Sequence, residues 1–444
     1  MTHLADRLVR ASAWVVPLTF ALLVVRLWRF VSEHAVDLVY LDQWDFLQGL
    51  MEGADAWTLF RWQHGLARQG PGNLILEAAL TRTQWSGMAD PALAAGTMAL
   101  AALGALWLVR RLCGAWRPWD VAVPLLFLTT ANVDGYVSVP NLSHGPLQAL
   151  YLVAFGLAMT VGSHLGRCGL LVAINVFAVN TGYTMLLGWM TPGLLVLSAF
   201  RPGLTGRDRA VYAAGAAAAI ATLVHFFHDI VFLTAVDCFR FPHDRPREYL
   251  SYLGLVLARP FNARALGLPD QLIGSLTGLA AIGFVILAAV GWRREHGATA
   301  LWSVACMLGG FALLFASSTA VGRVCTGLET AQASRYIPYV LPGLLSVYLV
   351  LRSGAVPVRG LPWLLGLFVT LCVLKETSSR AHLDAGTEAA LKRAWRDCYL
   401  TVHDIDTCDA RSGRPAYPSP EATDLQRKLD WLEARGYSLF RSPE

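Results

Sequence analysis

Residues 271–291 read QLIGSLTGLAAIGFVILAAVG, and no charged side chain interrupts them. About 20 mostly apolar residues in a row are what an α-helix needs to cross the hydrocarbon core of a bilayer. The rest of the chain has a similar character, because 55% of its 444 residues are hydrophobic and only 15% are charged. Since soluble domains carry about 25% charged residues, the composition predicts an integral membrane protein.

Comparable apolar runs recur along the chain and predict an all-α, polytopic membrane protein with about eleven spanning helices. The fifth and sixth runs share one apolar stretch, which we divide at Asn180 to Tyr183 because a single helix of that length would exceed the bilayer thickness. A transmembrane domain is therefore expected over residues 1–376 and a helical tail over residues 377–444. The approximate bounds of the runs are 11–31, 90–109, 119–134, 145–164, 169–187, 184–200, 210–228, 271–291, 298–317, 335–351 and 361–376.

The arginines of the short connections predict the orientation. Lys and Arg collect at the cytoplasmic ends of spanning helices, and arginines such as Arg110, Arg167 and Arg293 fall at the ends of alternate connections. This pattern places the N-terminus in the cytoplasm. With an odd number of helices, the tail and the first long loop, residues 32–89, lie in the periplasm. We therefore expect a multi-pass protein of a bacterial inner (plasma) membrane.

Four cysteines fall in segments expected outside the cytoplasm, where an oxidising compartment permits disulfides. Cys398 and Cys408 lie close together in the tail, and Cys238 and Cys325 lie in two different loops. The bridge between Cys398 and Cys408 is the more strongly favoured of the two.

Several function classes are excluded by charge and by motif. The formal net charge of +5 is spread along the chain, so the dense basic surface of a nucleic-acid-binding protein is missing. The Walker A, H-E-x-x-H and G-x-S-x-G patterns do not occur either. An enzyme of this kind would have to use a substrate that is already activated. We expect membrane lipids, but no nucleic acid, among the partners.

The first long loop carries the segment VYLDQWDF over residues 39–46, in which two carboxylates stand three positions apart. Positions i and i+3 share a helix face, so Asp42 and Asp45 could act together on a substrate at the membrane surface. The alternative is that Asp42 caps a short helix and that Asp45 favours the positive end of its dipole. Trp44 and Phe46 would anchor the segment at the interface.

This arrangement resembles the GT-C-type glycosyltransferases, membrane enzymes that take a sugar from a polyprenyl-phosphate carrier. In that family a helix leads out of the cytoplasm into a large first loop with an acidic motif and short helices, and many spans follow. The resemblance is strongest to uncharacterised bacterial members with a D-x-W-D-F-like motif, here Asp42 to Phe46, followed by H-x-x-x-R, here His64 to Arg68. Such members often read H-N-E-H-R, so Leu66 and Ala67 depart from the pattern.

The resemblance also covers Ser334-Arg335-Tyr336 and the tail pattern from Cys398 to Phe440. It implies an inverting glycosyltransferase that moves a sugar to an envelope glycan or lipid acceptor on the periplasmic face. Within such a reaction it favours Asp42 as the general base, with Asp45 as the second candidate. His64 would contact the substrate.

A departing polyprenyl phosphate needs cations, and arginine offers a planar fork that matches phosphate oxygens. Arg68 could equally form a structural ion pair with one of the two acids, and Arg335 could simply extend to the lipid headgroups. The candidates are Arg68, Arg335 with the neighbouring Tyr336, and one of Arg240, Arg245 and Arg247, represented by Arg245.

Other polar positions allow weaker interpretations. His144, at the end of a predicted helix, could donate a hydrogen bond to substrate, whereas Asn141 or Ser143 could cap that helix. A divalent metal could be ligated by His225, His228 and Asp229, although the pattern requires no cofactor. Arg26, inside the first span, should pair within the bundle or extend to the headgroups.

Two other functions are compatible with the sequence. A transporter or flippase of lipid-linked saccharide would use the same arginines without breaking a bond. Transporters place their polar residues near the bilayer midplane, often in inverted repeats, and this sequence shows no repeat. A polysaccharide polymerase or ligase would place its largest loop late in the chain, whereas the acid-bearing loop here comes first. The glycosyltransferase is therefore the favoured interpretation.

Overall fold

A computed structural model describes residues 14–232, 236–262, 267–294, 299–356, 359–377, 380–417 and 424–441. Within these ranges the chain is helical apart from one antiparallel hairpin, formed by β1 (Gln63–His64) and β2 (Ala67–Arg68). The α-helices, in chain order, are α1 (Val15–His34), α2 (Gln43–Phe46), α3 (Gln48–Met51), α4 (Ala56–Arg61), α5 (Gly70–Arg82), α6 (Ala89–Cys113), α7 (Ala122–Phe127), α8 (Pro146–Met159), α9 (His164–Val179), α10 (Leu187–Ala199), α11 (Gly206–Phe227), α12 (Arg247–Ala258), α13 (Asp270–Arg294), α14 (Thr299–Arg323), α15 (Ile337–Ser353), α16 (Leu361–Glu376), α17 (Arg380–Val402), α18 (Ile405–Ser412) and α19 (Leu425–Glu433).

Among the described residues, eight helices are long and apolar enough to cross a membrane. They are α1, α6, α10, α11, α13, α14, α15 and the segment that begins with α16, some of them extended by a 3-10 turn. Three shorter apolar helices, Pro118–Phe127, α8 and α9, fall on other predicted spans. The prediction of an all-α, multi-pass membrane protein is confirmed, and eight helices, against the expected eleven or so, have spanning length.

The predicted span over residues 119–134 is interrupted, because its helix ends at Phe127. Beyond this point polar side chains bind the backbone locally. The Thr129 hydroxyl accepts a hydrogen bond from the Ala131 amide, and the Asn132 carboxamide accepts one from the Gly135 amide. Such bonds compete with a continuing helix. A π-helical turn, Asp134–Ser138, follows.

The expected break between the fifth and sixth runs is confirmed, since α9 ends at Val179 and a 3-10 turn, Gly182–Leu186, leads into α10. The long connection between α11 and α13 contains the buried helix α12. A Cβ on Gly254 of α12 would lie 1.7 Å from the carbonyl oxygen of Gly274 in α13. The two backbones therefore touch, and only glycine fits at Gly254.

The tail packs against the first long loop. Buried side chains from both segments, including Tyr40 and Trp44 from the loop and Trp395 and Leu429 from the tail, form one apolar cluster. The predicted helical tail contains α17, α18 and α19. The Cys398–Cys408 disulfide is confirmed and joins α17 to α18.

Charged groups inside the bundle are paired. Arg26 forms an ion pair with Glu376, which confirms the expectation that it pairs within the bundle. At the other end of the bundle, Arg352 Nε lies 2.9 Å from Asp120 Oδ1, and both side chains are almost fully buried. Pairing of this kind offsets the desolvation cost of a buried charge. The end that carries the first long loop, α12 and the tail is called the loop face below.

Candidate functional site

A cavity of about 650 Å³, the site cavity, lies at the loop face between the membrane helices and the covering loops. It brings together residues from the first long loop, the π-helical turn, the ends of α14 and α15 and the tail. Its lining includes Leu41, Asp42, Phe46, His64, Gly65, Leu66, Ala67, Asp134, Gly135, Ser138, Val139, Asn141, His144, Tyr183, Arg323, Arg335, Tyr336, Tyr339, Arg414 and Pro415.

The acidic side of the cavity is built by the turn that opens α2. The Tyr40 amide donates to Gln43 Oε1, and Gln43 Nε2 donates to the Pro140 carbonyl, so the turn is fixed to the opposite wall. Asp42 directly precedes α2 but makes no side-chain capping bond to it. Its side chain is 55% exposed, which leaves the carboxylate open toward the cavity. The capping alternative therefore does not describe Asp42.

Asp45 lies deeper, and its side chain is 22% exposed. His64 stands between the two acids, with His64 Nε2 4.0 Å from Asp42 Oδ2 and His64 Nδ1 3.9 Å from Asp45 Oδ2. The tail reaches the same place, because the Tyr417 hydroxyl donates to Asp45 Oδ2 at 2.8 Å.

The cationic side of the cavity comes from the ends of the late membrane helices. Arg323 ends α14, and Arg335 lies in the 3-10 turn before α15. Asp134 Oδ2 accepts a hydrogen bond from the Arg335 backbone amide at 3.2 Å, and the Ser334 hydroxyl accepts one from the Asp134 backbone amide at 2.8 Å. These two bonds fix the turn before α15 against the π-helical turn. No carboxylate oxygen of the described residues lies within 4.0 Å of either guanidinium.

A third arginine of the cavity, Arg414, is already neutralised. Its Nη1 lies 2.7 Å from both carboxylate oxygens of Glu388 in α17. This pairing makes Arg414 a fixed part of the wall, whereas Arg323 and Arg335 keep their positive charge available to an anionic ligand.

His144 lines the site cavity between its acidic and cationic sides. Its Nε2 contacts Gln69 Nε2, and its Nδ1 lies 3.4 Å from the Tyr339 hydroxyl. Asn141 Oδ1 accepts the Ser143 and His144 amides at 2.8 and 3.1 Å, so the capping residue expected there is present as well. Burial lowers the pKa of His144 to about 3, and the imidazole is therefore neutral at ordinary pH.

The buried neutral imidazole should make stability depend on pH. The unfolded chain binds a proton at His144 below a pKa of about 6.5, and the folded chain binds it only near pH 3. Stability is thus full above pH 6.5 and is lost as the pH falls, by about 1.4 kcal/mol for each pH unit. We expect the apparent melting temperature to fall more steeply from pH 7 to pH 5 in the wild type than in His144→Gln. Parallel curves for the two proteins would contradict this assignment.

Three of the candidate residues do not line the site cavity. Asp45 lies just beside it, 3.9 Å from His64. Arg68 does not line the cavity, because its guanidinium donates to the carbonyls of Arg61, Phe226 and His228. It ties the hairpin to the end of α11. Arg245 pairs with Glu248 at 2.9 Å on the surface, and it does not line the cavity either.

Of the residues considered as metal ligands, His225, His228 and Asp229, the aspartate forms ion pairs instead. Asp229 lies 2.7 Å from both Arg61 Nη2 and His228 Nδ1. In the part of the chain that the structure describes, no group of three or more His, Cys, Asp or Glu side chains could hold a metal ion.

Several lining residues carry no signal that could be recognised in the sequence. Arg323 and Arg414 stand among many arginines without a distinguishing motif, and Tyr183 and Tyr339 belong to apolar runs. Tyr339 stacks on Phe315 with ring centroids 4.3 Å apart, so its position depends on how α14 and α15 pack. Only the three-dimensional arrangement reveals these residues.

Two further cavities continue from the site cavity toward the membrane helices. A polar cavity of about 430 Å³ shares Asp134 and Ser138 with it. The polar cavity in turn shares Asn262 and Lys375 with an apolar cavity of about 620 Å³, which is lined mainly by α13, α14 and α15. The Lys375 side chain is 2% exposed and lies 3.5 Å from Glu376.

No protein-family model matches the chain, and no curated protein or solved structure is similar enough to count as a match.

Proposed function

We propose that this protein is an inverting glycosyltransferase that moves a sugar from a polyprenyl-phosphate carrier to an envelope glycan or lipid acceptor. The observation that carries the proposal is the site cavity itself. Asp42, whose carboxylate makes no capping bond to α2, faces the same space as Arg323 and Arg335 at the end of a membrane helix bundle. Among the described residues, no carboxylate oxygen lies within 4.0 Å of either guanidinium.

This combination meets the two demands of the reaction. The acceptor hydroxyl must lose its proton as it attacks the anomeric carbon, and a positioned carboxylate contributes about 100- to 10,000-fold to such a step. The leaving group departs as a phosphate anion, and arginine stabilises it through charge-assisted hydrogen bonds. Asp42 is assigned the first role. Arg335 and Arg323 are assigned the second, and Tyr336 forms part of the wall beside them.

The neighbouring cavities support a substrate linked to a lipid. The apolar cavity offers a hydrocarbon environment, and Lys375 lies where it meets the polar cavity. A donor whose chain lies among α13, α14 and α15 would present its phosphate and sugar toward Asp134, on the wall shared with the site cavity. A soluble sugar nucleotide has no hydrocarbon chain that could occupy the apolar cavity.

The proposed location is a bacterial inner membrane, with the loop face in the periplasm and the N-terminus in the cytoplasm. Both disulfides, Cys238–Cys325 and Cys398–Cys408, involve segments at the loop face. Disulfides persist in oxidising compartments, which supports the periplasmic side for this face.

The experiment that tests the function uses the purified chain in proteoliposomes. Polyprenyl-phosphate donors carrying radiolabelled hexoses or pentoses are added with extracted envelope glycolipids as acceptors. We expect donor to be consumed and label to appear in the acceptor, with one polyprenyl phosphate released for each sugar transferred. Label that crosses the bilayer on an intact donor would instead show a flippase and would contradict the proposal.

A further inference from the structure

His64 stands between Asp42, which lines the site cavity, and Asp45, which does not. Its ring is held edge-on to Phe46, with centroids 4.9 Å apart, and nearly parallel to Trp62, with centroids 5.9 Å apart. These contacts aim one ring nitrogen at Asp42 and the other at Asp45, at 4.0 and 3.9 Å. Both separations exceed hydrogen-bond length, and catalytic contacts of this kind often tighten only when substrate is bound.

The C-terminal tail holds the backbone around Asp42 in place. The Leu41 amide donates to the Ala416 carbonyl at 2.7 Å, and Lys428 Nζ donates to the Trp44 carbonyl at 3.0 Å. The tail therefore forms hydrogen bonds to the backbone on both sides of Asp42. Burial and the bond to Asp45 raise the pKa of Tyr417, so its hydroxyl remains a donor to Asp45 Oδ2 at 2.8 Å.

From this geometry we infer that Asp42, His64 and Asp45 act as one acid–base unit, and that Tyr417 is a positioning residue supplied by the tail. The inference rests on the proposed glycosyl transfer and assigns the proton path within it. Tyr417 holds Asp45, Asp45 orients His64, and His64 receives the proton from Asp42.

The step balances as follows. The acceptor oxygen forms a bond to the anomeric carbon while its proton passes to the Asp42 carboxylate. The bond between the anomeric carbon and the phosphate oxygen breaks, and its electron pair stays on the phosphate. Asp42 then passes the proton to His64 Nε2, and the imidazolium is stabilised by Asp45 until it releases the proton to water in the cavity. Asp42 is thereby returned to its charged form for the next turnover.

The path predicts a pH-dependent rate, and the groups that face His64 have to be considered together. Asp42 and Asp45 flank it, His144 lies with its ring centroid 6.4 Å away, and Arg335 and Arg414 line the same cavity. His144 is neutral over the working range. The arginines keep their charge, so a comparison of the wild type with His64→Gln tests the proton path through His64.

The test compares kcat and KM of the full-length protein in proteoliposomes across pH, with a saturable polyprenyl-phosphate donor. His64→Gln should lower kcat by about 100-fold, leave KM nearly unchanged and change the pH profile of kcat. Tyr417→Phe should lower kcat by about tenfold and change that profile as well. Tyr437→Phe is the matched control, because Tyr437 stacks on Trp85 in the tail cluster and does not line the site cavity. Its kcat should equal that of the wild type.

A rescue separates proton transfer from structure. His64→Gly should regain part of its kcat when imidazole is added, and Tyr437→Phe should not respond. Wild-type transfer together with an unchanged kcat and pH profile in His64→Gln would overturn the relay and leave the proposed function intact. A wild-type chain that transfers no sugar from any donor would overturn both.

Discussion

Replacing Asp42 with Asn is expected to lower the rate of sugar transfer by about 1,000-fold, within the range that general-base catalysis contributes. Asparagine has nearly the same shape as aspartate but cannot accept the proton of the acceptor hydroxyl. Asp42 makes no side-chain bond to α2, so the helix should form without its charge. The rate is measured with radiolabelled donor at matched protein levels.

Two companion variants sharpen this prediction. Asp45→Asn should reduce the rate less, because Asp45 is engaged by Tyr417 and is assigned an orienting role. Asp55→Asn is the control from the same loop, since Asp55 caps α4 through the Thr58 amide and does not line the site cavity. It should transfer sugar normally. Full activity in both Asp42→Asn and Asp45→Asn, with normal membrane insertion, would remove the acid–base proposal.

The second large effect is expected at Arg335. Its guanidinium lies 5.5 Å from the Tyr336 ring and has no carboxylate partner within 4.0 Å among the described residues. Hydrogen bonds to a charged group contribute about 1.5 to 3 kcal/mol. We therefore expect Arg335→Ala to weaken donor binding by about 100-fold, measured by competition with unlabelled polyprenyl phosphate. Arg335→Lys should recover part of this loss, because it restores charge without the planar fork.

Arg245→Ala is the matched control for this measurement. Arg245 is also a loop-face arginine near a helix start, but it is paired with Glu248 and lies outside the site cavity. Its loss should leave donor affinity unchanged. If Arg335→Ala binds donor as tightly as the wild type, the role of Arg335 is limited to its position near the headgroups.

The sequence predicted the features that depend on local composition. Apolar runs predicted a helical membrane protein because a bilayer requires such runs. The acidic turn at Asp42 could be recognised because it lies early in the first long loop, soon after the first apolar run. The separation of α9 and α10 followed from the length of their shared run.

Features that depend on packing could not be predicted in this way. Helix α12 was missed because its 12 residues are short and flanked by charges, and only contact with α13 buries it. Arg68 matched the H-x-x-x-R motif, yet its guanidinium donates its hydrogen bonds to three backbone carbonyls and does not reach the site cavity. Arg323 lines the site cavity without any motif that marks it. Tyr417 donates a hydrogen bond to Asp45 although 372 positions separate the two residues in sequence.

The most direct test of the central claim asks which residues the donor touches. A polyprenyl-phosphate sugar with a photoreactive diazirine on its sugar is irradiated with the wild-type protein, and the labelled peptides are mapped by mass spectrometry. We expect label on the peptides that contain Asp42 and Arg335, and we expect unmodified donor to compete for it. Label confined to peptides that do not line the site cavity, in protein that consumes donor, would contradict the account.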